Sequence, residues 1–161
     1  MTVQDTEEIL KVYKSKDYSD VHTFFDLEWK RNLQVPISKL PEFNFIRDLI
    51  NKDLRKMHPD YLVSDFITIL EYNKGDFFGR HRDGPSYESK TDITILSGGY
   101  ILNDYYKGGD FLIKNKKINT EVGKIFTFSR EVVHEITEVT EGVRYSIHFA
   151  VNRPENKKNL V

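Results

Sequence analysis

The sequence predicts a mainly β domain, an antiparallel sandwich or barrel supported by N-terminal helices. Three observations predict it. All nine glycines lie at or after Gly75, so a helix-tolerant first part gives way to turn-punctuated sequence. From Leu62 the apolar pattern shifts to a period of two. The later strand candidates follow one another at short spacing with no helix between them, which disfavours βαβ units. The 161 residues suit one domain, 1–161, with 1–60 as helical support and 62–154 as the β core.

Residues 41–57 carry the clearest helical signal. Phe43, Ile46, Leu49, Ile50, Leu54 and Met57 recur at steps of three and four, and Pro41 and Pro59 bracket them. Segments 7–14 and 21–31 read as helical or partly strand. In 62–72, Phe66, Thr68, Leu70 and Tyr72 share one face, opposite Ile67, Ile69 and Glu71. Further strands are expected at 100–103, 111–114, 124–129, 132–139 and 143–151, with the Lys-rich 114–117 as a solvated hairpin end. In the last strand Val143, Tyr145, Ile147, Phe149 and Val151 form an apolar face, while Arg144, Ser146, His148 and Ala150 form the other. On spacing alone the second face belongs in water; lining a barrel mouth is the functional alternative.

Charge and composition narrow the chemistry. Twenty-four Lys+Arg balance 25 Asp+Glu, which argues against a nucleic-acid or membrane-surface partner. No cysteine is present, so a metal site must use His, Asp or Glu. The absence of cysteine, of a signal pattern at the N-terminus and of a long apolar run leads to the expectation of a cytoplasmic protein.

The deciding constellation begins in GDFFGRHRDGP. His81 and Asp83 are two residues apart, so on an extended segment both point to one side, and the flanking Gly79 and Gly84-Pro85 disfavour a helix. An imidazole beside a carboxylate is two-thirds of a 2-His-1-carboxylate triad, a set that suits Fe(II) with open positions. A third ligand should come from a distant strand, and His134 is the candidate, with Arg144 ten residues beyond it. His22 and His58 have no such companions. The HRD at 81–83 also matches the start of a kinase catalytic loop, but the required Asn five residues on is Glu88, and no DFG or Gly-rich phosphate loop accompanies it.

With EYNKGDFFGRHRD, YILNDYYKGGDF, GKIFTF and HEITEVTEGVRYSIHF in this order, residues 62–154 resemble the Fe(II)/2-oxoglutarate-dependent dioxygenases, in particular their prolyl 4-hydroxylase-like branch. The resemblance implies a double-stranded β-helix, or distorted jelly roll. It implies His81, Asp83 and His134 on Fe(II), and Arg144 on the distal carboxylate of 2-oxoglutarate. Tyr72, and with it Ser146 and Tyr100, would hydrogen-bond the cosubstrate. O2 is the second cosubstrate, with ascorbate as a candidate reductant. The implied reaction couples oxidative decarboxylation of 2-oxoglutarate, to succinate and CO2, with C–H hydroxylation; Asp83 favours this over halogenation, since halogenases of the family lack the carboxylate.

The resemblance makes a proline-containing peptide the leading substrate and a free amino acid or other small molecule the alternative; a non-catalytic jelly-roll binding module is the reading from another class. Arg80, Arg82, Tyr87, Arg130 and His148 flank the expected metal as candidates for substrate contact or support. The segment 84–99 reads as a lid or binding loop. Departures from the family pattern are the residue inserted in Tyr100-Ile101-Leu102-Asn103, and Ala150 where the family commonly has Trp, the one Trp here being Trp29. Nucleic-acid demethylases carry a second Arg six residues after the first, where this chain has Ala150.

Overall fold

In the computed structural model the described backbone comprises residues 1–84, 87–88 and 92–154. The chain opens with α1, Val3–Lys14, whose Thr2 and Asp5 form a reciprocal capping box. Ile9, Leu10 and Tyr13 are its buried stripe. A 3-10 turn, Pro41–Phe43, leads into α2, Asn44–Met57, which buries Ile46, Ile50 and Leu54. Both helices pack on one face of a curled antiparallel sheet. No described helix is long and apolar enough to cross a membrane.

The rest is strand. β1, Thr23–Leu27, and β2, Lys30–Pro36, form a hairpin, so the segment expected to give helical support also contributes to the sheet. The alternation of Asn32 and Gln34 with Leu33 and Val35 explains why: one side is apolar and the other polar, a strand period rather than a helical one. β3 is Leu62–Tyr72, β4 is Phe77–His81, and the short β5, Tyr87–Glu88, pairs with β6, Asp92–Ile101. β6 thus begins inside the segment expected to be a loop over 84–99, while 85, 86 and 89–91 lie outside the described residues. β7, Tyr106–Gly108, and β8, Phe111–Ile113, follow. Lys114 and Asn115, both at positive φ, turn the chain into β9, Lys116–Lys117. β10, Phe126–Ser129, precedes β11, His134–Ile136, and β12, Val139–Gly142, so the single strand expected over 132–139 is two short ones. β13, Arg144–Pro154, ends the described chain.

Among the described residues the strand order is β10-β6-β13-β3-β2-β4-β11-β8-β9, with β12 and β7 paired separately. The sheet folds over at β2, whose first residues pair with β4 and whose later ones pair with β3. One wall is therefore β10, β6, β13 and β3, and the facing wall is β4, β11, β8 and β9. This is a double-stranded β-helix. The period-two pattern of β3 and β13 distributes residues between its two sides. Ile67, Ile69, Tyr145, Ile147 and Phe149 pack against the helices in the main core. Thr68, Leu70, Tyr72, Arg144, Ser146 and His148 face the space between the walls. Thus the polar face of β13 lines an interior cavity rather than meeting water.

Ile147 is 1 % exposed at the centre of the sheet–helix core. Ile147→Ala is expected to cost roughly 2–5 kcal/mol, read as a lower urea midpoint at unchanged slope.

Candidate metal centre

The two walls enclose a cavity of about 160 Å³. The side chains of His81, Asp83 and His134 meet at its edge, their ligand atoms all within 4.8 Å of one another. Two distant segments deliver them. His81 ends β4 and is paired with His134 on β11, whereas Asp83 follows just past the strand end. The Asp83 backbone is itself held, its N–H donating to the Arg130 carbonyl at 3.0 Å and its carbonyl accepting from Arg130 Nη2 at 3.1 Å.

The imidazoles are oriented by the backbone. His81 Nδ1 lies 2.6 Å from the Gly79 carbonyl and His134 Nδ1 lies 3.0 Å from the Val132 carbonyl. A carbonyl only accepts, so both Nδ1 atoms carry a proton, and in the neutral rings both Nε2 atoms present a lone pair. Those lone pairs point at Asp83 Oδ1 from 3.3 Å and 3.2 Å. Two nitrogen acceptors and a carboxylate oxygen converging in this way repel unless a cation sits among them. The donor set fits a divalent ion with oxygen and nitrogen preference. Burial works to raise the Asp83 pKa, but hydrogen bonds donated by His134 and His81 when their rings carry a second proton, the field of His148 and the Ser97 hydroxyl outweigh it and hold the carboxyl far below its usual range. Asp83 is thus ionised and ready to ligate.

His81 also needs a glycine two residues earlier. A Cβ on Gly79 would stand 2.7 Å from the Trp29 carbonyl, which accepts the Gly79 N–H. Trp29 folds back beside the metal centre, its ring 6.4 Å from His81, with Phe78 stacked on His81 at 3.8 Å. Although remote in sequence, it is a neighbour of the site through the β1–β2 turn.

Arg144 lies deeper, 2 % exposed. Its Nε donates to the Gly109 carbonyl and its Nη1 to Ser146 Oγ, both at 3.0 Å. Gly109, at φ 62°, allows the approach, since a Cβ there would lie 2.8 Å from Arg144 Cδ. Asn103 secures the same strand end, donating to the Val143 carbonyl and accepting from the Tyr145 N–H. No carboxylate lies within ion-pair distance of Arg144 among the described residues, and Nη2 makes no hydrogen bond there. A buried guanidinium in a cavity without a counter-ion is a site for a carboxylate ligand.

Tyr72 packs under that guanidinium, 5.2 Å from ring centre to Cζ. Burial pushes its hydroxyl pKa up to about 12, against the pull of Arg144. The hydroxyl lies near the Asn32 amide, yet neither group makes a geometrically good hydrogen bond. Buried polar atoms without a protein partner mark a place where a ligand or ordered water can complete the bonding. Tyr72→Phe is therefore expected to leave folding stability unchanged or raised, and to weaken binding of 2-oxoglutarate about tenfold, measured by calorimetry on Mn(II)-loaded protein.

The other expected site residues divide. His148 lines the cavity with Nε2 3.6 Å from Asp83 Oδ2, and burial lowers its pKa to about 4 against the attraction of Asp83, so it is a neutral neighbour. Tyr100 is a correction. It points to the helix side and donates to Asp53 at 2.7 Å, because Ser97 and Gly99 take the cavity face of β6 and the next residue must take the other. Arg82 does not line the cavity, and its Nε donates to the Glu131 carbonyl. Arg80 is exposed and does not line the cavity. Arg130 supports Asp83 instead of lining the cavity. The side chain of Tyr87 lies outside the described residues. Sequence reading missed Lys30, Asn32 and Gln34 on β2, for which the alternation noted above was the available signal, and Ser97, which hydrogen-bonds Asp83 Oδ2.

A double-stranded β-helix with a His-Asp-His cluster beside a buried, unpaired arginine defines an oxygenase of the Fe(II)/2-oxoglutarate type. Residues 67–152, more than half the chain, match the model of the 2OG-Fe(II) oxygenase superfamily, and the protein belongs to that family. Its members use Fe(II), 2-oxoglutarate and O2. No curated protein matches the sequence. Among solved structures, a Pseudomonas putida prolyl-4-hydroxylase is similar at 14% identity and TM-score 0.67, over 97% of this chain and 89% of that one. The viral collagen prolyl hydroxylase of Paramecium Bursaria Chlorella virus-1 is similar at 13% identity and TM-score 0.62, over 95% and 92%. The alpha-ketoglutarate-dependent epimerase SnoN of nogalamycin biosynthesis is similar at 13% identity and TM-score 0.69, over 94% and 73%. At these identities the likeness is one of fold.

Proposed function

We propose that this protein is a hydroxylase that holds Fe(II) with His81, Asp83 and His134, binds 2-oxoglutarate through Arg144, and acts on a proline residue in a peptide. The observation that carries the reading is the convergence of two backbone-oriented Nε2 atoms on the ionised Asp83, beside a buried guanidinium that lacks a carboxylate. The bound metal and cosubstrate together supply the oxidation of an unactivated C–H bond. The protein supplies everything around it. His81, Asp83 and His134 would hold the metal through two imidazole nitrogens and one carboxylate oxygen. Arg144, with Ser146 and Tyr72, fixes the far end of the cosubstrate. Phe78, Phe111, Phe126 and Phe128 line the cavity with apolar surface that excludes water.

The prolyl substrate rests on the sequence resemblance and on the likeness of fold to two prolyl hydroxylases. Two half-exposed aromatic side chains near the site, Trp29 and Phe66, offer ring faces for a pyrrolidine. The test is incubation with Fe(II), 2-oxoglutarate, O2 and ascorbate in the presence of proline-rich peptides, free amino acids or other small molecules. Succinate formation coupled to gain of one oxygen atom on peptidyl proline is expected. Oxygen gained only by a free amino acid or small molecule would move the assignment to the alternative substrate class. No succinate and no metal binding would leave a jelly-roll binding module.

A further inference from the structure

Lys30 is a second cation in the cavity that the proposed chemistry leaves unused. It sits at the start of β2 opposite Phe78 and is 9 % exposed. Its Nζ lies 3.8 Å from the ring centre of Phe25 and 4.4 Å from that of Phe78, the ring that stacks on His81. The ammonium is thus one aromatic ring away from the metal cluster. Among the described residues it makes neither a hydrogen bond nor an ion pair, and burial lowers its pKa despite the opposing field of Asp83. Aromatic faces attract a cation but accept hydrogen bonds poorly, so its three N–H donors are under-used.

Charge balance shows what is missing. Lys30 and Arg144 are the basic chains lining the cavity, and Asp83 is the one carboxylate, among the described residues. A divalent ion, Asp83, Arg144 and the dianion of 2-oxoglutarate cancel. Lys30 is then a single surplus positive charge in a poorly hydrated place, and buried charges are normally paired. The remaining component of the working complex is the substrate. A zwitterionic amino acid would bring an ammonium of its own, for which the cavity has no second carboxylate. An anion without an ammonium balances the site.

Resting on the hydroxylase reading above, we infer that Lys30 anchors a carboxylate of the substrate, which is a monoanion whose nitrogen is acylated. A peptide C-terminus or an acidic side chain beside the reacting residue supplies this group; an uncharged internal peptide or a free amino acid does not.

The experiment uses protein loaded with Mn(II) and 2-oxoglutarate, and short N-acetylated peptides of proline and of other residues. Each peptide is made with a free C-terminal carboxylate, as an amide, and as an amide with Glu next to the central residue; free L-proline completes the set. Calorimetry is expected to show one of the two anionic forms binding at least about tenfold tighter than the plain amide, and which one identifies the source of the carboxylate. Lys30→Met should abolish that preference while leaving the affinity for 2-oxoglutarate unchanged, and Lys30→Arg should restore part of it. The melting temperature of Lys30→Met should not fall, because an uncompensated buried charge is removed. Equal binding of amides and acids, no binding of any anionic peptide, or tightest binding of free proline would overturn the inference. So would a fall in melting temperature, which marks a packing role, or a loss of 2-oxoglutarate affinity, which marks a cosubstrate ligand. Failure of wild-type protein to bind 2-oxoglutarate would instead bring down the hydroxylase reading itself.

Discussion

Asp83→Ala is expected to reduce succinate formation by about a thousandfold or more, since a bound metal contributes several kcal/mol and this change removes the anionic ligand that holds it. Asp83 is the hub of the site: His81 and His134 approach its Oδ1, while Ser97 and His148 approach its Oδ2. Without it the two Nε2 lone pairs face each other with no negative charge to draw in a cation. The loss should appear first as weakened Mn(II) affinity, and chelation of wild-type protein should reproduce it reversibly, with activity returning on addition of Fe(II). A variant that kept wild-type metal affinity and turnover would sink the assignment of these three ligands.

Arg144→Met should weaken 2-oxoglutarate binding by about a hundredfold, in the lower half of the range for removing one member of a buried charge pair. The consequence is also visible in stability. A ligand present at one hundred times its dissociation constant stabilises the folded state by about 2.7 kcal/mol, which for a domain of this size raises the melting temperature by roughly 5–10 °C. That increase should shrink to roughly 1 °C in Arg144→Met at the same ligand concentration. Arg144→Lys keeps the charge but loses the planar fork, along with the Nε donor to Gly109 and the geometry of the bond to Ser146, so it should recover only part of the affinity. An undiminished thermal shift in Arg144→Met would mean that the distal carboxylate is held elsewhere, with Lys30 the next candidate.

The meeting of His81, Asp83 and His134 was legible because its signal is local twice over. His81 and Asp83 share a side of one extended segment, and His134 stands on another segment with Arg144 at a fixed offset. Tyr100 was harder. An inserted residue reverses which face a strand residue occupies, and the pairing of β6 with β13, invisible in the sequence, turned Tyr100 to the helices. Arg82 and Arg130 lay near the metal in sequence, but long side chains go where acceptors are. The Glu131 and Asp83 carbonyls captured them.

By itself the sequence determined the alternation of faces in β3 and β13, the helical stripe of α2, and a metal chemistry restricted to nitrogen and oxygen donors. Those features depend on periodicity and residue type within short segments. Only the tertiary structure decided where the polar face of β13 would go. A period of two separates two faces but does not say whether the polar one meets water or another wall of the same sheet. The fold-over at β2 answered that, placing β4, β11 and β8 opposite β3 and β13 and enclosing Arg144. The same fold-over brought Lys30 and Trp29 to the metal cluster from fifty residues away in the chain, a proximity set by strand order that no local pattern encodes.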